Sequence, residues 1–236
     1  MKQYLHTALT MLNEVDRRIR REAIARFLSR LEAMEWPSPV NPYRMSGAAA
    51  KPAMARFEHV TRYLNHFANE GCSVMLIAEA FGYRGGRVTG IPLTSQRIIQ
   101  SNPRFAAEFP EIVSVYRPCE ESGAQETEAT ATIVWRVFEK LPVGQAPLCW
   151  NVFPAHPYQM TAGLWSNRSP TRTEIERGAE FARQLVQIMK PRTVVAIGRC
   201  AERGLAAAGI PAIPVRHPAN GGATLFVRQV TPILFP

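Results

Sequence analysis

Ser73-Val-Met-Leu-Ile-Ala78 leads without a break into Glu79-Ala-Phe-Gly82-Tyr-Arg-Gly-Gly86-Arg-Val-Thr-Gly90. An apolar run that stops on a glycine-rich loop reads as a strand buried on both faces, opening onto a turn. Three more short apolar runs follow, Leu148–Val152, Thr193–Ile197 and Ala212–Val215. Helical patterns separate them at about Thr130–Leu141, Thr171–Met189 and Arg199–Ala208. Alternation of short apolar strands with helices predicts an α/β fold, a three-layer α/β/α sandwich around a mostly parallel sheet of about four strands.

Upstream of the first strand the pattern is helical. Val15, Ile19, Ala23, Phe27, Leu31 and Met34 recur at three- and four-residue spacing from about Leu5 to Glu35, with arginines between them. Trp36-Pro-Ser-Pro-Val-Asn-Pro42 ends that helix, because repeated prolines forbid its continuation, and a second helix is expected over Met54–Ala68. The chain is therefore read as one domain over 1–236, with a helical N-terminal extension (1–70) on an α/β core (71–236). Glu120–Glu128 is read as the most mobile loop.

Composition bounds the function classes. The chain has 236 residues, 46% hydrophobic and 20% charged, the profile of an ordinary globular protein. No apolar run approaches bilayer length, and the N-terminus lacks a signal-peptide pattern, so no membrane contact and a cytoplasmic location are expected. Cys72, Cys119, Cys149 and Cys200 include no CxxC pair, and none precedes Cys72. Close-spaced thiolates are what zinc and iron–sulfur sites need, so neither a metal nor a cluster, nor any other cofactor, is expected.

The formal charge is +9, carried by 28 basic residues of which 24 are arginine. Phe81–Ala107 holds four arginines and no carboxylate, and from Arg183 onward seven basic residues face only Glu202. Segregation of that kind suits a polyanion, whose counterions are released when arginines replace them.

A parallel sheet binds ligands beyond the carboxyl ends of its strands. That rule puts four segments on one rim: Glu79-Ala-Phe-Gly-Tyr83, Asn151-Val-Phe-Pro154, Gly198-Arg-Cys200 and His217-Pro-Ala-Asn220. The glycine-rich loop lacks a GK[ST] ending and does not fit GxGxxG, so triphosphate and dinucleotide readings are weak. GxSxG and HExxH are absent as well.

Taken together, the rim segments resemble the uracil-DNA glycosylase superfamily. Ile77-Ala-Glu-Ala-Phe-Gly82 is similar to its first motif in the G-E-[AG]-P-G form. Thr89-Gly-Ile-Pro-Leu93 resembles the T-G-[IV]-P-F segment of the single-strand-selective monofunctional branch. Trp150-Asn-Val-Phe-Pro154 resembles the strand whose asparagine reads the base, and His217-Pro218 resembles the H-P-S motif. The four agree in order and spacing from about Ser73 to the C-terminus.

The resemblance implies roles. His217 would donate to uracil O2 as the base leaves as an anion, and Asn151 would match the O4/N3 edge, a pairing that disfavours cytosine. Ala78, Ala80, Phe81, Gly82, Tyr83, Leu93 and Phe153 would line the base pocket. Several positions depart from the pattern: Ala80 stands where several branches carry a water-activating acid, leaving Glu79 as the nearest carboxylate. Leu93 replaces the stacking phenylalanine, so Phe81 or Phe153 would have to supply an aromatic face. Gly82 stands where a tyrosine excludes the thymine methyl. Arg84, Arg87, Arg199 and Arg216 are candidate phosphate contacts. Pro218, Ala219, Asn220 and Gly221 form the candidate probe of the vacated stack, without a bulky wedge.

The implied activity is removal of uracil from DNA by a monomeric, monofunctional enzyme acting in base excision repair and leaving an abasic site. No lysine lies beside the motifs to form a Schiff base. Three alternatives stay open: a glycosylase for hypoxanthine, xanthine or 5-hydroxymethyluracil; a weakened enzyme that binds DNA or abasic sites; and an unrelated small-molecule hydrolase.

Overall fold

The computed structural model describes residues 2–36, 41–45, 50–118, 127–161 and 164–236. Two long helices come first, α1 (Lys2–Ala33) and α2 (Ala50–Glu70), followed by strand β1 (Val74–Ala80). Four short helices then carry the chain around the rim: α3 (Gly86–Thr89), α4 (Gln96–Ser101), α5 (Pro103–Glu108) and α6 (Pro110–Val113). After α7 (Ala129–Phe138) come β2 (Leu148–Phe153) and a hairpin of β3 (Tyr158–Thr161) and β4 (Leu164–Asn167). The chain closes with α8 (Arg172–Met189), β5 (Thr193–Ile197), α9 (Arg199–Ala207), β6 (Ile213–Val215) and α10 (Ala223–Leu234).

The central sheet has the order β2-β1-β5-β6, every pair parallel. This is the α/β architecture expected from the apolar runs, and β5 coincides with its predicted span. β1 is central, and Met75, Leu76 and Ile77 are fully buried in it, as a strand covered on both faces demands. β2 lies at an edge. The Tyr63 hydroxyl of α2 covers that edge, accepting the Cys149 N–H at 2.6 Å and donating to the Cys149 carbonyl at 3.3 Å. Because β1 is followed on one side by β2 and on the other by β5, strand order reverses between β1 and β5. The crevice at such a reversal is where an open α/β sheet binds its ligand.

α8 and α9 pack over β1, β2 and β5, and α1 packs on α8 and α2. The buried side chains of α1 and α2 join the same hydrophobic cluster as those of the sheet. α1 departs from its periodic pattern, however. Phe27 and Leu31 are buried, yet Val15 is 42% and Ile19 54% exposed. The earlier turns are held by polar contacts instead, Arg17 and Arg21 reaching Asn69 at 3.0 and 2.9 Å.

The hairpin, α10 and the four short helices are additions to the sequence reading. Most of the loop expected to be mobile, residues 120–126, lies outside the described residues. Its last residue, Glu128, is the N-cap of α7, accepting from Thr130 and Ala131. No helix among the described residues is long and apolar enough to cross a membrane.

Candidate active site

Glu79 and Asn151 lie near the carboxyl ends of β1 and β2, and Gly198 and His217 just beyond those of β5 and β6, so that all four share one rim of the sheet. Asn151 sits in β2 with 1% of its surface exposed. Both its amide nitrogen and its amide oxygen are buried without a hydrogen-bond partner. A buried primary amide left unsatisfied costs about 1–3 kcal/mol, and native proteins rarely tolerate it outside a site that binds something.

His217 is half-buried in the turn after β6. Its Nδ1 accepts the Ala219 backbone N–H at 3.1 Å. An accepting Nδ1 puts the single proton of the neutral ring on Nε2, as a donor. Burial lowers the imidazole pKa below 6.5, with Arg216 pushing the same way, while the charges of Glu79 and Glu128 oppose them. Gly198, with φ of 85°, passes directly beneath the ring; a Cβ there would lie 3.0 Å from the Cβ of His217.

Glu79 leaves β1 toward the opposite face from Asn151. Ala78 is in register with Asn151, parallel partners share a face, and successive residues alternate. On its own face the Glu79 carboxylate hydrogen-bonds the thiol of Cys200 in α9. Burial, reinforced by that carboxylate, pushes Cys200 up to about 11, so the thiol stays protonated. Ala80 is in register with Phe153.

The remaining predicted pocket residues divide. Ala78 is buried beside Asn151, and Gly82 and Tyr83 are half-buried in the loop. The Phe81 ring is 3% exposed, lies over Gly86, and meets Tyr43 edge-on at 6.1 Å. Phe153 is fully buried, edge-on to Trp36 at 4.6 Å. Leu93 adopts φ of 53°, a left-handed conformation that costs a non-glycine residue of order 1–3 kcal/mol. The Trp135 indole N–H holds it there, donating to the Leu93 carbonyl at 3.0 Å.

Arg84, Arg199 and Arg216 are exposed, as are Asn220 and Gly221, while Ala219 is half-buried and Pro218 buried. Arg84 lies over the Tyr83 ring at 5.1 Å. Arg87 is half-buried and donates to the Tyr83 carbonyl at 2.9 Å, bracing the loop.

Three functional neighbours escaped the sequence reading. Glu128 packs its methylenes on Gly82 and Gly85. Asn167, at the end of the hairpin, accepts the Tyr83 N–H at 3.0 Å and the Nε2–H of His156 at 3.1 Å. His156 is fully buried, and burial brings its pKa down to about 4 against the opposing hydrogen bond to Asn167. A legible signal existed for His156: His156-Pro157 repeats the His217-Pro218 pair just past the end of another strand. The hairpin is anchored beyond by Arg168, which grips Glu174 of α8 through two 2.7 Å bonds. Among the described residues no group of three or more His, Cys, Asp and Glu gathers to hold a metal.

No protein-family model matches the chain, and no curated protein does. Among solved structures, the fold is similar to that of wild-type SMUG2 from Pedobacter heparinus. The two superpose with a TM-score of 0.57 over 91% of this chain and 96% of that one, with 11% of residues identical, a likeness of fold.

Proposed function

We propose that this chain is a monofunctional DNA glycosylase that removes uracil from DNA by hydrolysing the N-glycosidic bond, leaving an abasic site. The observation that carries the reading is Asn151: a buried amide whose donor and acceptor are both unspent, on the same strand-end rim as a histidine whose free donor is Nε2–H. The fold likeness to SMUG2 and the basic balance of the chain support it.

In this reading an extruded uracil presents N3–H to the Asn151 carbonyl and O4 to its amide N–H. Cytosine would put an amino group against that N–H and is rejected. As the C1′–N1 bond breaks, negative charge collects on the base and positive charge on the sugar. Neutral His217 donates through Nε2 to O2 and stabilises the departing anion without giving up its proton. Glu79, on the other face of β1, adds negative charge beneath His217 and steadies the loop. Its orientation suits an electrostatic role better than direct activation of water. Arg84, Arg199 and Arg216 contact phosphates, and the exposed turn at Asn220 and Gly221 probes the vacated stack.

A second reading, a glycosylase for another deaminated or oxidised base, is favoured by one observation. Leu93 offers an aliphatic wall, and the rings of Phe81 and Phe153 are both taken up by internal packing. One experiment tests both: alkaline cleavage of oligonucleotides carrying uracil, hypoxanthine, xanthine or 5-hydroxymethyluracil, with wild type, His217→Ala and Glu79→Gln. Uracil release by wild type and a large loss in His217→Ala are expected. Release of another base in preference to uracil would select the second reading. A His217→Ala enzyme as active as wild type would refute the site.

A further inference from the structure

Glu128 sits in the most acidic stretch of the chain, which composition alone reads as a solvated loop. Its carboxylate is in fact pinned. One oxygen accepts the Thr130 N–H at 2.9 Å and the other the Ala131 N–H at 2.6 Å, so the side chain is fixed on the first turn of α7. The two bonds satisfy two of the backbone donors left unpaired at the start of α7.

The same side chain closes over the glycine-rich loop. A Cβ on Gly85 would lie 3.0 Å from Cγ of Glu128 and 2.9 Å from the Thr94 carbonyl oxygen, and one on Gly82 would lie 3.8 Å from that Cγ. Glu128 and the backbone of Thr94 thus both pack against the side of Gly85 where a side chain would stand. Glycine at 85 is what that approach requires. Burial holds the His217 imidazole pKa down, and the charges of Glu79 and Glu128 act against that, opposed by Arg216 beside it.

We propose that Glu128 is a positioning residue of the active site, whose pinned carboxylate clamps the Gly82–Gly86 loop on the rim that carries His217. It contacts no reacting atom itself. Where the end of β1 carries Ala80 in place of an acid, this carboxylate comes from a different element, the N-cap of α7.

The inference rests on the glycosylase reading for its purpose, but its test does not. The ring resonances of His217 are followed by NMR against pH in wild type, Glu128→Gln and Glu79→Gln. Glutamine keeps the length, removes the charge and retains one accepting oxygen, giving up one of the two cap bonds. The midpoint of His217 is expected to fall in Glu128→Gln, by several tenths of a pH unit or more, and the acid limb of base release to move down with it. A midpoint equal to wild type would overturn the proposal whether or not the enzyme releases uracil. Absence of base release from wild type, with the midpoint shifted, would refute the glycosylase reading and leave the coupling standing. Should Glu128→Gln disturb folding, Gly85→Ala gives the packing test. Its added methyl is expected to cut base release at least tenfold while leaving the His217 ring titratable, and wild-type rates would refute the clamp.

Discussion

The Nδ1 atom of His217 accepts the backbone N–H of Ala219, 3.1 Å away and two residues further along the same turn. Protonating that ring would place a proton between Nδ1 and an N–H already pointing at it, so the turn and the burial both favour neutral imidazole. In the proposed reaction the neutral ring is the working form, and burial holds its pKa below 6.5. Single-turnover base release should therefore be flat above that pH and fall with a slope of one below the lowered midpoint. His217→Ala should lose about 10²- to 10³-fold in rate at neutral pH, the usual cost of removing one donor to a developing anion. A rate that rises on acidification below pH 6 would mean that the imidazolium is the active species.

Asn151 holds its position at a cost to stability, and that cost is measurable. With both amide atoms buried and unpaired, replacing the side chain by the similar-sized leucine removes a penalty of about 1–3 kcal/mol. Asn151→Leu should raise the thermal midpoint by a few degrees while base release from uracil drops by at least 10²-fold. Calorimetry alongside oligonucleotide cleavage checks both halves. A lower midpoint in Asn151→Leu would show that the amide is satisfied in the free protein.

His156 predicts a stability effect of defined sign. Its folded pKa is about 4 against 6.5 unfolded, chiefly because burial disfavours the charged ring. Above pH 6.5 the ring is neutral in both states and the advantage is complete. Between 6.5 and about 4 the unfolded chain binds a proton that the folded chain refuses, so stability falls with falling pH. The full loss is about 3 kcal/mol. His156→Gln keeps a donor toward Asn167 and should lose less stability than wild type between pH 7 and 4 in urea titrations. Parallel curves for the two proteins would rule His156 out as the source of the slope.

The sheet was legible because its strands are buried on both faces. Val74–Ala80 and Thr193–Ile197 are nearly continuous apolar runs, and no competing helix of that length fits between the flanking turns. The hairpin was not, since Gln159 and Met160 face solvent and Tyr158-Gln-Met-Thr161 shows no clean alternation. α10 hid behind Gly222 and the internal Pro232, which locally argue against a helix. At the site, Asn151 and His217 could be read because strand ends gather on one rim. Glu128 could not, because its role comes from a cap and a close approach to Gly85, neither of which leaves a pattern in the chain. Val15 and Ile19 misled in the other direction: their spacing is helical, but helical periodicity does not say that a partner is present.

Charge segregation also needs sorting by burial before it predicts anything. Of the four arginines between Phe81 and Ala107, Arg104 is 8% exposed, bonded to Glu108 at 2.5 Å and to the carbonyls of Leu141 and Pro142. It belongs to the core, and Arg104→Ala should cost about 3 kcal/mol by leaving the buried Glu108 carboxylate only the N–H groups of Gly144 and Ala146 as hydrogen-bond partners. Arg84, Arg199 and Arg216 are exposed on the binding rim. If each meets one phosphate of duplex DNA, replacing it with alanine should lower the slope of log K against log salt by about 0.9 with little loss of stability. Fluorescence anisotropy over a salt series measures the slope. An unchanged slope in all three single variants would move the DNA path off this rim. A reduced slope in Arg84→Ala alone would instead run the strand along the glycine-rich loop, away from the turn at Asn220.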